Sequence, residues 1–155
     1  LSTLISLEYL YFEGNQISDI TALSNLTNLF ELYFDGNQVS DITSLSNLKK
    51  LRELYFNTNL VVDISAMSNL NELRKLSFNS NRVIDISSLA NMTYLTELNF
   101  ASNTVSDILP LVNNAGLATD DNIDMRNNNL DLTPGSEDMQ NIQALIDRGV
   151  IVDYQ

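Results

Sequence analysis

The chain is 155 residues long and carries 20 acidic against 8 basic side chains, a net charge of −12 that argues against nucleic acid as a partner, because phosphate contacts rest on Lys and Arg. It has no cysteine and no histidine, which removes disulfides, thiolate chemistry and the commonest general base and metal ligand, and leaves the redox compartment open. No apolar run approaches the ~20 residues of a membrane span, and no stretch resembles a signal peptide.

From its first residues the chain repeats. Leu1, Leu4 and Leu7 match Leu23, Leu26 and Leu29, so the chain begins inside a repeat, without the cap that terminal repeats need. Upstream residues, any targeting signal among them, are therefore expected to be missing. Asn15, Asn37, Asn59, Asn81 and Asn103 form one column at an offset of 22 residues. Phe12, Phe34, Phe56, Phe78 and Phe100 form a second, and Asp19, Asp41, Asp63, Asp85 and Asp107 a third. Five copies in step at a period between 20 and 29 mark an α/β solenoid of leucine-rich coils.

Each copy follows LxxLxFxxNxVxDIxxLxxL. The alternation around Leu32–Phe34 predicts a short half-buried strand. Identical strands recurring once per coil stack in parallel, about 4.8 Å apart, into one concave β-sheet with short helical turns on the convex side. Leu29, Leu32, Phe34, Val39, Ile42, Leu45 and Leu48 then point inward. Asn37 stands where the chain leaves the strand, and its amide can satisfy backbone groups left unpaired by the turn. Asp41 precedes one helical turn and can accept its orphan N–H groups. A row of calcium ligands is the alternative, but calcium needs 6–8 converging oxygens and one carboxylate per coil does not converge. No metal or cofactor is expected.

Coils 3 and 4 depart from the pattern. Leu60, Val62 and Ile84 make a small apolar patch on the descending edge, either a lateral contact or ordinary single exposures. Residues 1–48 hold no Lys or Arg, whereas Lys49, Lys50, Arg52, Arg74 and Lys75 gather at the ascending edge. They steer an acidic partner or simply solvate that edge.

After coil 5 the spacing slips, with Leu117 falling 25 residues beyond Met92. In a last degenerate coil Ile123, Met125, Asn128 and Leu130 replace Leu, Phe, Asn and Val. Pro134 then opens a helix with Thr133 or Ser136 as cap and Glu137 and Asp138 in its first turn. Met139, Ile142, Leu145 and Ile146 supply its apolar face, Gly149 ends it, and Val150–Tyr154 returns as a parallel strand through a right-handed crossover. Residues 1–116 are thus assigned to repeat coils, and 117–155 to the degenerate coil and a helix–strand C-terminal cap.

Strand residues flanking the inward Leu and Phe face the concave groove. Tyr11, Tyr33 and Tyr55 share one column, continued by Ser77, Asn99 and Asp124. Tyr9, Glu31, Glu53, Lys75 and Glu97 lie on one flank; Glu13, Asp35, Asn57, Asn79 and Ala101 lie on the other. Tyr9, Tyr11, Glu13, Glu31, Tyr33, Asp35, Glu53 and Tyr55 are the candidate ligand-binding residues, with Phe30 on their border. Exposed Tyr is a favoured interface anchor, although stacked Tyr rows also stabilise a sheet by cross-strand contact. Glu31 and Glu53 lie one strand apart as a glycosidase pair would, but an open groove offers no pocket to raise one pKa, so no enzyme is expected. A protein or peptide partner of basic character is expected, with a glycan as the rival.

The segments NQISDITALSNL (15–26) and NQVSDITSLSNL (37–48) resemble the 22-residue repeats of the internalin family of bacterial surface proteins. The resemblance covers residues 1–112. Phe stands in place of the usual Leu in the second strand position of all five copies, and the tail resembles a helix–strand end rather than an immunoglobulin-like inter-repeat domain. The resemblance implies binding of protein receptors on the concave sheet and an extracellular or cell-surface location. The same repeat class includes intracellular phosphatase regulators, so a cytoplasmic scaffold is the alternative. Asn25-Leu26-Thr27 and Asn91-Met92-Thr93 match the glycosylation sequon at a column where Asn recurs for repeat reasons.

Overall fold

The structure is a computed structural model that describes residues 4–155, so Leu1 of the opening match lies outside it. Seven strands of three residues build one parallel sheet in chain order. They are β1 (Tyr9–Tyr11), β2 (Glu31–Tyr33), β3 (Glu53–Tyr55), β4 (Lys75–Ser77), β5 (Glu97–Asn99), β6 (Asn122–Asp124) and β7 (Ile151–Asp153). The ladder sits one residue earlier than the Leu32–Phe34 alternation predicts, since Phe34 gives its N–H to the Tyr55 carbonyl (2.9 Å) just as the chain turns inward. Strand pairing follows the repeat, with Leu10, Leu32, Leu54 and Leu76 on successive strands directly opposite one another. The insertion of three residues is absorbed before β6, where Glu97 pairs with Asn122.

The core is built from the repeat columns. Leu29, Leu32, Phe34, Val39, Ile42, Leu45 and Leu48 are each at most 1% exposed. Burying a side chain of this size contributes about 1.5–3 kcal/mol. Rings of Phe12, Phe34, Phe56, Phe78 and Phe100 stack nearly parallel, with centroids 5.5–5.8 Å apart. Phe therefore supplies an inter-coil aromatic spine that Leu would not, and Met125 closes it.

The Asn column joins the coils. Asn59 Nδ2 donates to the carbonyls of Phe34 (3.1 Å), Phe56 (3.1 Å) and Asn57 (3.2 Å), while its Oδ1 accepts the N–H of Val39 in the preceding coil (3.0 Å). Asn37, Asn81 and Asn103 repeat the arrangement, and Asn128 keeps it in the degenerate coil. One amide thus satisfies turn groups in two coils, which is more than the turn role read from sequence.

On the convex side the expected helical turns are 3-10 helices at Thr21–Leu23, Thr43–Leu45, Ser65–Met67 and Ser87–Asn91. Asp19, Asp41, Asp63 and Asp85 each accept the N–H two residues on, at 2.7–2.8 Å. This is an Asx turn leading into the helix, one residue before the usual capping position. The turn leaving each strand requires φ > 0. Gly14 and Gly36 provide it in the first coils, while Thr58, Ser80, Ser102 and Asn127 adopt φ of 54–57° at the matching place. A β-branched Thr seldom accepts this backbone, so neighbouring coils must impose it.

At the far end, α1 (Leu109–Asn113) replaces the 3-10 turn, and Pro110 is tolerated because a first-turn N–H has no intrahelical partner. The second helix, α2, runs Glu137–Asp147, so Pro134 stands three residues ahead of it in the approach rather than opening it. Ser136 is the cap, accepting the Met139 N–H at 3.2 Å. Ile142 and Leu145 are buried in the common core, but Ile146 is 39% exposed and leaves the expected apolar face. Gly149, at φ 90°, turns the chain into β7, which pairs in parallel with β6.

Candidate binding face on the concave sheet

Strand alternation turns Leu32 and Leu54 into the core and leaves Tyr33 and Tyr55 on the opposite face, in register with Tyr11. Their rings touch in series, Tyr11 to Tyr33 at 4.7 Å between centroids and Tyr33 to Tyr55 at 4.6 Å, edge-on. Tyr11 is exposed, and Tyr33 and Tyr55 are half-buried by their neighbours. These contacts fix ring rotamers that would otherwise be free.

Two of the hydroxyls, those of Tyr11 and Tyr33, are held too. Tyr11 donates to Glu31 Oε2, and Tyr33 donates to Glu53 Oε2 at 2.5 Å. Lys75 closes the series from β4, with Nζ 3.0 Å from Glu53 Oε1. Lys75 therefore belongs to the sheet and not to the basic ascending edge where the sequence pattern also placed it. Burial pushes the Glu53 carboxyl up, but the bonds from Tyr33 and Lys75 outweigh that and hold it below the usual carboxylate range. The bond to Glu31 pushes the Tyr11 phenol up to about 12, because ionising it would set two anions face to face. Burial, then Glu53, raises Tyr33, and burial raises Tyr55. At neutral pH the strip presents neutral phenols between fixed charges. A Glu53 held ionised has no proton to donate as a general acid.

The other candidates are placed differently. Tyr9 is 51% exposed and leans on Phe30, 6.4 Å between centroids, at the ascending flank. Glu13 is exposed beyond β1. Asp35 is tied to the next coil, accepting the Asn57 N–H (2.6 Å) and side-chain amide (3.0 Å). Ser77, expected to continue the open column, is 6% exposed and donates to Asn57 Oδ1 at 2.7 Å. With no ring to fill its place, the groove there closes onto a polar ladder of Asp35, Asn57 and Asn79. Sequence reasoning missed this ladder and the Lys75 pair, although a Lys in a column of Glu was a readable signal for the latter. Among the described residues no group of acidic side chains converges on a metal-sized site, and no helix is long and apolar enough to cross a membrane.

Known proteins share this architecture. The family model for leucine-rich repeats (two copies) matches residues 5–45, 27–72 and 71–113. Among solved structures, an internalin of Listeria monocytogenes, InlF, superposes with a TM-score of 0.87 at 32% identity, over 99% of this chain and 44% of that one. Internalin C2 of the same organism superposes with a TM-score of 0.71 at 30% identity, over 99% of this chain and 74% of that one. A leucine-rich-repeat protein of Leptospira interrogans shares the fold at a TM-score of 0.81 and 18% identity, over 99% of this chain and 39% of its own. No curated protein sequence matches the chain. The chain spans less than half the length of the InlF and Leptospira structures. Repeat period, parallel sheet, Asn column and these similarities agree: the chain belongs to the leucine-rich-repeat family of protein-interaction modules, as an internalin-like member of it.

Proposed function

We propose that the chain is the protein- or peptide-binding module of a bacterial surface or secreted protein, and that its partner docks on the concave sheet through Tyr11, Tyr33 and Tyr55. In this reading residues 1–116 form the binding array, and 117–155 form the last coil and its cap. The observation that carries it is the linked series Tyr11–Glu31 and Tyr33–Glu53–Lys75, which holds two phenols in fixed poses, with the Tyr55 ring packed edge-on against Tyr33, before any partner arrives. Pre-set aromatic anchors lose little rotamer entropy on binding, and hot spots favour Tyr. Exposed Glu13 and the flanking Glu31 and Glu53 favour a basic partner.

The test sets protein and glycan arrays side by side. Tyr11→Ser and Tyr33→Ala should each weaken a protein hit by about tenfold or more, while exposed Gln38→Ala leaves it unchanged. Thermal melts confirm that each variant is folded, and a hit to a basic partner weakens as salt rises. Hits confined to the glycan array and lost in the same variants would establish the carbohydrate reading. Binding that ignores the tyrosines but fails with Leu60, Val62 or Ile84 changes would move the site to the descending edge.

A further inference from the structure

A second surface runs along the ascending rim, one residue ahead of the strands. Successive rim residues are locked by backbone bonds from Arg52 N–H to the Phe30 carbonyl (2.8 Å) and from Arg74 N–H to the Arg52 carbonyl (2.8 Å). The Arg52 guanidinium lies over the Phe30 ring at 5.1 Å, and that of Arg74 over the Tyr94 ring at 6.0 Å. Between them opens a hollow lined by Arg52, Glu72, Arg74 and Tyr94. Lys49 and Lys50 are exposed one coil-step away, and among the described residues Lys50 Nζ reaches only the neutral Asn28 side chain, at 2.7 Å.

The charges of this strip are under-neutralised. Glu72 stands 3.9 Å from Arg52, with both side chains 53% exposed, which is a long and well-solvated pair. Among the described residues Arg74, Lys49 and Lys50 make no ion pair. Half of the basic residues of a strongly acidic chain are thus held side by side, and two of them lie over aromatic rings. Folding gains nothing from bringing like charges together, whereas a guanidinium oriented on a ring keeps its N–H edges free for a planar anion. Carboxylates match that fork.

We propose that this rim is a second binding surface, distinct from the tyrosine strip, and that its occupant is a short Asp/Glu-rich segment of a protein partner. The length follows from charge. The rest of the chain carries the other four basic residues and nearly all of the acidic ones, so a polyanion longer than the strip would run into repulsion within a Debye length, about 8–10 Å. A segment of a few carboxylates meets only the favourable patch.

Fluorescence anisotropy with a labelled eight-residue Glu/Asp peptide tests this, alongside a Gly/Ser peptide and a heparin octasaccharide. The acidic peptide should bind saturably and more weakly as salt rises. Arg52→Gln combined with Arg74→Gln should weaken it about tenfold or more. Arg74→Lys should recover only part of the loss, because an ammonium keeps the charge but not the fork. Arg82→Gln, which removes an exposed charge elsewhere, and Tyr33→Ala should leave it within about twofold. All substituted side chains on the rim are exposed, and circular dichroism checks the fold. No saturable binding, equal loss with Arg82→Gln, or binding of heparin without the peptide would each overturn the proposal, the last in favour of a sulfated glycan.

Discussion

Asn59→Ala, compared with Asn15→Ala, separates the inter-coil role of the Asn column from a merely local one. Removing the Asn59 amide leaves the buried Val39 N–H without an acceptor, at a cost of about 1–3 kcal/mol. The carbonyls of Phe34 and Phe56 each lose one of two side-chain donors, since Asn37 and Asn81 still reach them at 3.0 Å. Two such weakened bonds add roughly 0.5–1 kcal/mol each, for a total near 2–5 kcal/mol. At the first coil, among the described residues, Asn15 donates only to the Phe12 and Glu13 carbonyls, in an exposed setting, and Phe12 keeps its bond from Asn37. Its loss should cost about 1 kcal/mol. Urea unfolding of the two variants, analysed with the m-value checked for constancy, measures the difference directly. If Asn59→Ala costs no more than Asn15→Ala, the column does not act by joining coils. Since whole domains are stable by only about 5–15 kcal/mol, the expected gap is large enough to read.

Four other predictions rest on the same geometry. Leu10, Phe12 and Ile17 are only half-buried around an apolar hollow, unlike their counterparts in later coils, so amide exchange should be fastest in residues 4–20; slowest exchange there would contradict this stability gradient. Tyr11, Tyr33 and Tyr55 have phenols raised above 10, so the stability they contribute is complete below pH 10 and is lost as pH rises through the folded values, about 12 for Tyr11. An absorbance titration should therefore show a late phenolate step that shrinks with Tyr11→Phe, Tyr33→Phe and Tyr55→Phe, and an unchanged step in all three would refute the assignment. At the acid end the lowered Glu53 contributes stability above the ordinary carboxylate range and loses it as pH falls below about 4, and Glu53→Gln should flatten that limb. Asp63→Asn should melt near the parent and Asp63→Ala lower, because Asn can also accept the Ser65 N–H; a calcium-dependent rise in Tm abolished by the Asn change would point instead to metal.

What the sequence disclosed was whatever recurs in a column. Leu32, Phe34 and Val39 occupy the same place in every coil, so their burial, the strand order and the Asn turns could be read from period alone. What it concealed depends on single neighbours. Tyr33 reaches Glu53 and not merely the groove, because two outward columns one strand apart bring a phenol within reach of a carboxylate. Ser77 shares the Tyr column yet is buried, because Asn57 beside it offers an acceptor and no ring holds the space open. At the C-terminal end there is no period to read. Helix rules place Pro134 at the helix start and Ile146 on its apolar face with no second copy to check them, whereas the helix begins at Glu137 and turns Ile146 outward.

The near-identity of the stacked Phe rings and Asn amides has a consequence for how this chain finds its fold. If coil 2 settled on coil 4 with coil 3 looped out, Phe34 would meet Phe78 as well as it meets Phe56, and Asn81 could serve Val39 as Asn59 does. The core by itself thus barely distinguishes the native order from a slipped one. The side chains that break the symmetry sit on the groove. In that slip Tyr33 would lie beside Ser77 and Lys75, and would lose both the Tyr55 ring and the Glu53 carboxylate that it meets on the next strand. A chain whose groove columns were identical in every coil would have nothing on that face to tell the native order from a slipped one.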